Sequence, residues 1–156
     1  MMKRFLLAVT ILTGLSMATE HKVTYPKEYR TWTHVKSMVI NDAHSLSDPF
    51  EGMHHIYANT KAMDGLKKQD YKNGATFVFD LLSAERSKEA TVEGERKFVG
   101  VMEYNNTKYP KTGNWGFEAF AGDSTDKRVV KDSGVSCFQC HVAVEKKSYV
   151  FSEYRK

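Results

Sequence analysis

The stretch ATFVFDLLSA, residues 75–84, decides the fold class of this chain. Its residues alternate, so that Phe77, Phe79 and Leu81 share one face and the charged Asp80 lies on the other. This two-residue period is that of a β-strand, and the aromatic and branched residues are ones that strands favour. The stretch therefore predicts a strand with two faces of different character.

Shorter stretches on both sides extend this strand into a sheet. We expect strands at HHIYAN (54–59), KFVGVMEYN (97–105) and NWGFEAFAG (114–122), and the end of a helix or a strand at TWTHVKSMVI (31–40). Residues 61–68 have helical composition, residues 41–49 are polar and loop-like, and a last helix should begin near Ser136. The pattern predicts an α+β fold with a predominantly antiparallel sheet and a few helices.

The first residues read as an export signal. Two basic residues precede an apolar run over residues 5–15, and a small-x-small tripeptide follows. This predicts a secretory signal peptide over residues 1–18, removed from a single domain over residues 19–156. A retained membrane anchor is the alternative, but the run is short for a bilayer core of about 30 Å.

The charge of the mature chain excludes one class of partner. Of the 23 Lys and Arg residues two lie in the signal, which leaves 21 basic against 19 acidic side chains, or about +2. That charge is too small for a nucleic-acid-binding surface. Export implies the periplasm, no membrane attachment after signal removal, and an oxidising compartment for the two cysteines.

The cysteines stand two residues apart in SCFQCH, residues 136–141. A zinc site would need a second pair of ligands, and no second Cys-x-x-Cys exists. A thioredoxin-like disulfide would follow a strand early in a βαβ unit, yet only 15 residues follow His141. The remaining chemistry is attachment of one haem c through Cys137 and Cys140, with His141 as the iron ligand.

The second axial position of such an iron is open to several readings. No methionine follows His141, so a sixth ligand would come from upstream. The upstream candidates are Met38, Met53, Met63, Met102, His34, His44, His54 and His55. An iron with two strong protein ligands mainly passes electrons, whereas an iron with an open face binds gases or performs chemistry.

Several segments, taken in order, resemble one known family. They are YRTWTHVKSMVI, GMHHIYAN, GATFVFDLL, KFVGVMEYN, GNWGFEAFAGD and the terminal CFQCH, which together span residues 29–141. The chain is thereby similar to the cytochrome P-460 family. The resemblance implies a β-rich homodimer with one c-type haem per chain in a five-coordinate site.

Within that family the chain looks more like cytochrome c′-β than like the hydroxylamine-oxidising branch. The resemblance implies that Phe50 and Phe79 cap an apolar distal pocket that binds NO and CO, with His141 on the proximal side. The hydroxylamine-oxidising branch carries a lysine joined to the porphyrin, and ATFVFDLL contains no lysine. Lysines nearby in sequence are Lys61, Lys67, Lys68 and Lys72.

Charged residues supply the remaining candidates. Arginine pairs with carboxylate in a bidentate fork, so Arg86, Arg96 and Arg128 are candidates to bind the haem propionates. Glu118 and Asp80 are candidate general bases for redox chemistry on hydroxylamine.

The expected function is NO scavenging, sensing or transport, with a possible redox partner protein. The alternatives are hydroxylamine oxidation and plain electron transfer. The adjacent His54 and His55 should point to opposite faces of a strand and not chelate one metal together.

Overall fold

The computed structural model describes residues 22–156, so the expected signal peptide lies outside the described residues. Five strands pair in chain order into one antiparallel sheet, as predicted. The strands are β1 (Thr33–Ile40), β2 (Gly52–Ala58), β3 (Thr76–Arg86), β4 (Thr91–Tyr104) and β5 (Trp115–Ala121).

Within the described residues, three α-helices accompany the sheet: α1 (Ser47–Phe50), α2 (Thr60–Lys68) and α3 (Val135–His141). Short 3-10 helices cover Tyr29–Thr31, Pro110–Thr112 and Val142–Lys147. Asn59 caps the amino-terminal end of α2, because its side-chain oxygen accepts a hydrogen bond from the Ala62 amide at 2.9 Å. None of the helices within residues 22–156 has the length and apolar character to cross a membrane.

The sheet has two faces of different character, because alternate residues point in opposite directions. One face packs against α2 and α3, and we call it the helix face. Its core includes Leu66, Phe77, Trp115 and Phe117. The second face packs Val78, Val99, Val101 and Phe120 against the segment that contains Val23 and Tyr29.

Asp80 is the charged centre of the second face. Its carboxylate is fully buried and accepts hydrogen bonds from the Tyr29 hydroxyl and from Arg96 Nε, each at 2.7 Å. Burial, followed by the bond to Asp80, raises the pKa of Tyr29. The carboxylate is thus compensated by a cation and a hydroxyl, as a buried charge requires.

Candidate functional site

Helix α3 carries both cysteines and is fixed to β5 at its first residues. Gly134 precedes the helix with φ of +85°, and a Cβ there would lie 2.8 Å from the Phe117 Cβ. The Asp132 carboxylate accepts hydrogen bonds from the amides of Gly134 at 3.1 Å and Ser136 at 2.8 Å. These bonds, first those from Ser136, lower the pKa of Asp132. Helix α3 therefore starts at one fixed place on the helix face.

The two thiols lie three residues apart on α3, so they occupy neighbouring positions on the helix surface. Both are free, with Cys140 exposed and Cys137 packed against the core of the helix face. Burial raises the pKa of the Cys137 thiol. Two unpaired thiols at this spacing are the donor set that thioether attachment requires.

His141 follows directly and has a defined tautomer. Its Nδ1 lies 2.7 Å from the Tyr149 carbonyl oxygen, and a carbonyl can only accept, so Nδ1 carries the proton. Nε2 then has a free lone pair. The ring lies between Phe117, at 4.9 Å between ring centroids, and Phe151, at 5.0 Å. Burial lowers the pKa of His141, which favours the neutral ring that a metal needs.

The Tyr149 carbonyl is itself held in place. Ser148 and Tyr149 both adopt left-handed backbone angles, with φ of 55° and 64°. Trp115 Nε1 donates to the Ser148 carbonyl at 2.9 Å, and Gly113 leaves room for the Tyr149 ring. A Cβ at Gly113 would lie 2.4 Å from that ring. The His141 imidazole is thus oriented by the Tyr149 carbonyl, whose position depends on Trp115 and Gly113.

A second group of rings lies further along the helix face, and we call it the aromatic cluster: Phe50, His54, Phe79 and Phe98. Phe79 lies 5.8 Å from Phe50, edge to face, and 5.8 Å from Phe98 in a stacked arrangement. Phe50 also meets Phe98 at 6.0 Å. His54 stacks on Phe79 with ring centroids 4.4 Å apart. Phe50 and Phe79, predicted as a pair, are therefore in contact.

Small residues lie beside Phe79 across the sheet. Phe79 pairs with Gly100 on β4, and Gly100 pairs with Ala119 on β5. The next paired row towards α3 is bulky, because Met102 pairs with Phe117. Gly100 and Ala119 therefore add little side-chain volume beside Phe79, and the Phe98 ring lies close to Gly100, 3.7 Å from where a Cβ would stand.

Comparison with known proteins agrees with this arrangement. The family model described as Cytochrome P460 matches residues 26–152. The chain belongs to the cytochrome P460 family. No curated protein gave a significant match to it. Membership implies a c-type haem, and the residues present fit that group. Cys137 and Cys140 would hold the porphyrin, and His141 would supply the proximal nitrogen.

Other predicted residues of this P460-family chain are engaged elsewhere. Arg86 contacts Asn41, whereas Arg96 bonds to Asp80 and contacts Asp123. Asp80 lies on the opposite face of β3 from Phe79, because the two are adjacent in a strand. These contacts give no support to propionate binding by either arginine, which stays a prediction.

The remaining charged candidates are also paired with protein groups. Arg128 Nη1 donates to the Glu118 carboxylate at 2.6 Å and to the Val23 carbonyl at 2.8 Å. Neither this carboxylate nor Asp80 belongs to the aromatic cluster. The structure therefore gives no support to Glu118 or Asp80 as a general base.

The two adjacent histidines point to opposite faces, as expected. His55 lies with Nδ1 2.6 Å from Ser37 Oγ and Nε2 2.7 Å from Glu93 Oε1, while His54 joins the aromatic cluster. Sequence reasoning missed Phe98 and gave His54 no definite role. The alternation of KFVGVMEYN already puts Phe98 on the same face as Gly100, which is the signal that could have found it.

Proposed function

We propose that this P460-family protein binds NO, and more weakly CO, at a five-coordinate haem iron beneath Phe50 and Phe79. The observation that carries the proposal is the contact of these two rings at 5.8 Å on the face that also carries α3. When bound, the haem supplies an iron that accepts a diatomic ligand on its open side.

The chain's own residues divide the remaining tasks. The two thiols anchor the porphyrin, and the neutral His141, oriented by Tyr149, occupies one axial position. Phe50, Phe79 and Phe98 exclude water and bulky ligands from the other side. An aromatic wall of this kind favours small diatomic ligands over bulky ones.

Contacts of three of the four nearby lysines support the gas-binding function over the crosslinked enzyme. Lys61 Nζ donates to the Asn73 carbonyl at 3.0 Å, and Lys67 lies 5.4 Å from the Tyr154 ring centroid. Lys72 pairs with Asp70 at 2.7 Å, with both side chains exposed. None of these partners belongs to the aromatic cluster.

The cellular setting extends the proposal. We place the mature protein in the periplasm as a homodimer that scavenges, senses or transports NO, with a redox partner protein to return the iron to its working oxidation state. The basis is the amino-terminal sequence and the family resemblance. Edman sequencing of the exported protein and its mass in solution test both points.

Absorption spectra and mass spectrometry of the purified holoprotein test the function itself. We expect two thioether links and a ferrous spectrum of five-coordinate iron that changes on addition of NO. A third covalent link to the porphyrin would instead support the hydroxylamine-oxidising alternative. Six-coordinate, low-spin ferrous iron without added ligand would support the electron-transfer alternative and exclude gas binding at an open site.

A further inference from the structure

His54 is a buried polar side chain that has no hydrogen-bond partner among residues 22–156. Its residue is 3% exposed, and Nδ1 is fully buried. Within residues 22–156 no protein group hydrogen-bonds to the ring, and Nδ1 is also closed off from solvent. Buried polar groups are almost always hydrogen-bonded in native proteins. An unpaired imidazole in this position therefore requires an explanation.

The position of His54 in the fold suggests an explanation for its unpaired imidazole. Its ring stacks directly on Phe79, one of the two rings of the predicted distal cap, with 28° between the ring planes. Its paired neighbours across the sheet are Met38 on β1 and Leu81 on β3, which offer no strong acceptor.

Burial also keeps the ring neutral. Desolvation is the main cause that lowers the pKa of His54 to about 4, and the nearby Lys36 and His55 act in the same direction. At neutral pH the side chain is thus an uncharged donor and acceptor beside an otherwise apolar wall. This is the state in which it can bond to a ligand without bringing a charge into the pocket.

We propose that His54 is a specificity-determining residue of the ligand pocket, which donates a hydrogen bond to a small ligand whose outer atom carries negative charge. The proposal rests on the proposed function. The imidazole stacks on the Phe79 ring, so it borders the proposed distal cap. Ligands that accept a hydrogen bond then gain from His54, whereas CO gains little.

The test compares azide binding to the ferric holoprotein with CO binding to the ferrous holoprotein. We expect His54→Leu to weaken azide binding roughly tenfold, the size of one hydrogen bond, and to change CO binding less than about twofold. His54→Gln keeps a donor and should retain part of the azide affinity. His55→Gln is the matched control on the opposite face and should change neither ligand.

A second comparison uses Phe79→Ala as background. Removal of the ring exposes the imidazole, so the effect of His54→Leu on azide should become larger. Equal losses for azide and CO, or no loss for azide in either background, would overturn the proposal. A six-coordinate wild-type iron that becomes five-coordinate in His54→Leu would show that His54 is itself an iron ligand, and would overturn the proposed function as well.

Discussion

Nδ1 of His141 lies 2.7 Å from the carbonyl oxygen of Tyr149, which stands eight residues further along the chain. Metal-binding histidines commonly donate their second nitrogen in this way, and the bond makes the ligating nitrogen more basic. In the proposed haem site, the strength of the bond from His141 to iron would therefore depend on the backbone of the segment after α3. That backbone is held in turn by Trp115 and Gly113.

Trp115→Phe tests this chain of contacts. The change removes the bond to the Ser148 carbonyl and some buried volume, so we expect the free energy of unfolding to fall by about 1–3 kcal/mol. The iron–histidine stretching band of the ferrous protein should shift in resonance Raman spectra. Tyr149→Phe, which removes only the exposed bond to Glu145, is the control. If the band did not shift although Trp115→Phe is destabilised, Trp115 would contribute to packing and have no effect on the iron–histidine bond.

Phe79→Ala should open the distal side of the haem. Loss of the ring removes steric exclusion, and we expect CO association to become about tenfold faster, which corresponds to a barrier lowered by about 1.4 kcal/mol. Flash photolysis of the CO complex measures this rate. Val78→Ala alters the adjacent, fully buried residue on the other face, so it should lower stability and leave the rate unchanged. Identical rates in wild type and Phe79→Ala would assign Phe79 to the core alone.

Asp80→Asn should be among the most destabilising single substitutions. The change leaves Arg96 without its buried carboxylate, and we expect the free energy of unfolding to fall by about 3–5 kcal/mol. Chemical denaturation of the holoprotein measures the loss. Asp70→Asn breaks an exposed pair with Lys72 and should cost less than about 1 kcal/mol. Similar costs for the two variants would contradict the role of Asp80 as the centre of the second face.

His54 should make stability depend on pH in mildly acidic solution. The pKa of His54 is about 4 in the folded protein, against an ordinary value of 6.5. Between pH 6.5 and 4, the unfolded chain therefore binds a proton at this residue that the folded chain does not bind. The free energy of unfolding should therefore fall between pH 6.5 and 4, by up to about 3 kcal/mol from this residue. Lys36 and His55 are the positive or titratable groups that add to the shift.

Denaturation curves across this pH range compare wild type with two leucine variants. His54→Leu should show a flatter dependence, because the buried titratable group is gone. His44→Leu removes an exposed histidine and should leave the slope as in wild type. A His54→Leu protein with the wild-type slope would mean that His54 already holds its proton in the folded state.

The sheet could be predicted from the sequence because its signal is local. Alternation identified β3, and turn residues separated it from its neighbours. The stretch at 31–40 stayed ambiguous because one strand or a short helix would satisfy the same apolar residues, and only its pairing with β2 decides. The short helix α1 was missed inside a polar, proline-containing loop.

The site could be predicted only in part. The cysteine spacing indicated the haem anchor, and the resemblance supplied Phe50 and Phe79 as a pair. The contact of His54 and Phe98 with Phe79 depends on strand register, including the irregularities between Leu81 and Ala84 in β3. Such register is set by the tertiary structure, and no periodicity within one strand reveals it. The pairing of Arg96 with the carboxylate of Asp80 likewise could not be predicted from the sequence.

The alternation within β3 has a consequence for how this protein can diverge. Odd-numbered positions such as Phe79 lie on the face of the proposed ligand site, while the neighbouring Asp80 stabilises the opposite face through Tyr29 and Arg96. Substitutions at positions such as Phe79 can change which ligand binds, while the buried carboxylate of Asp80, one residue away, continues to stabilise the fold. A new ligand preference can therefore arise through a few substitutions without a change of fold.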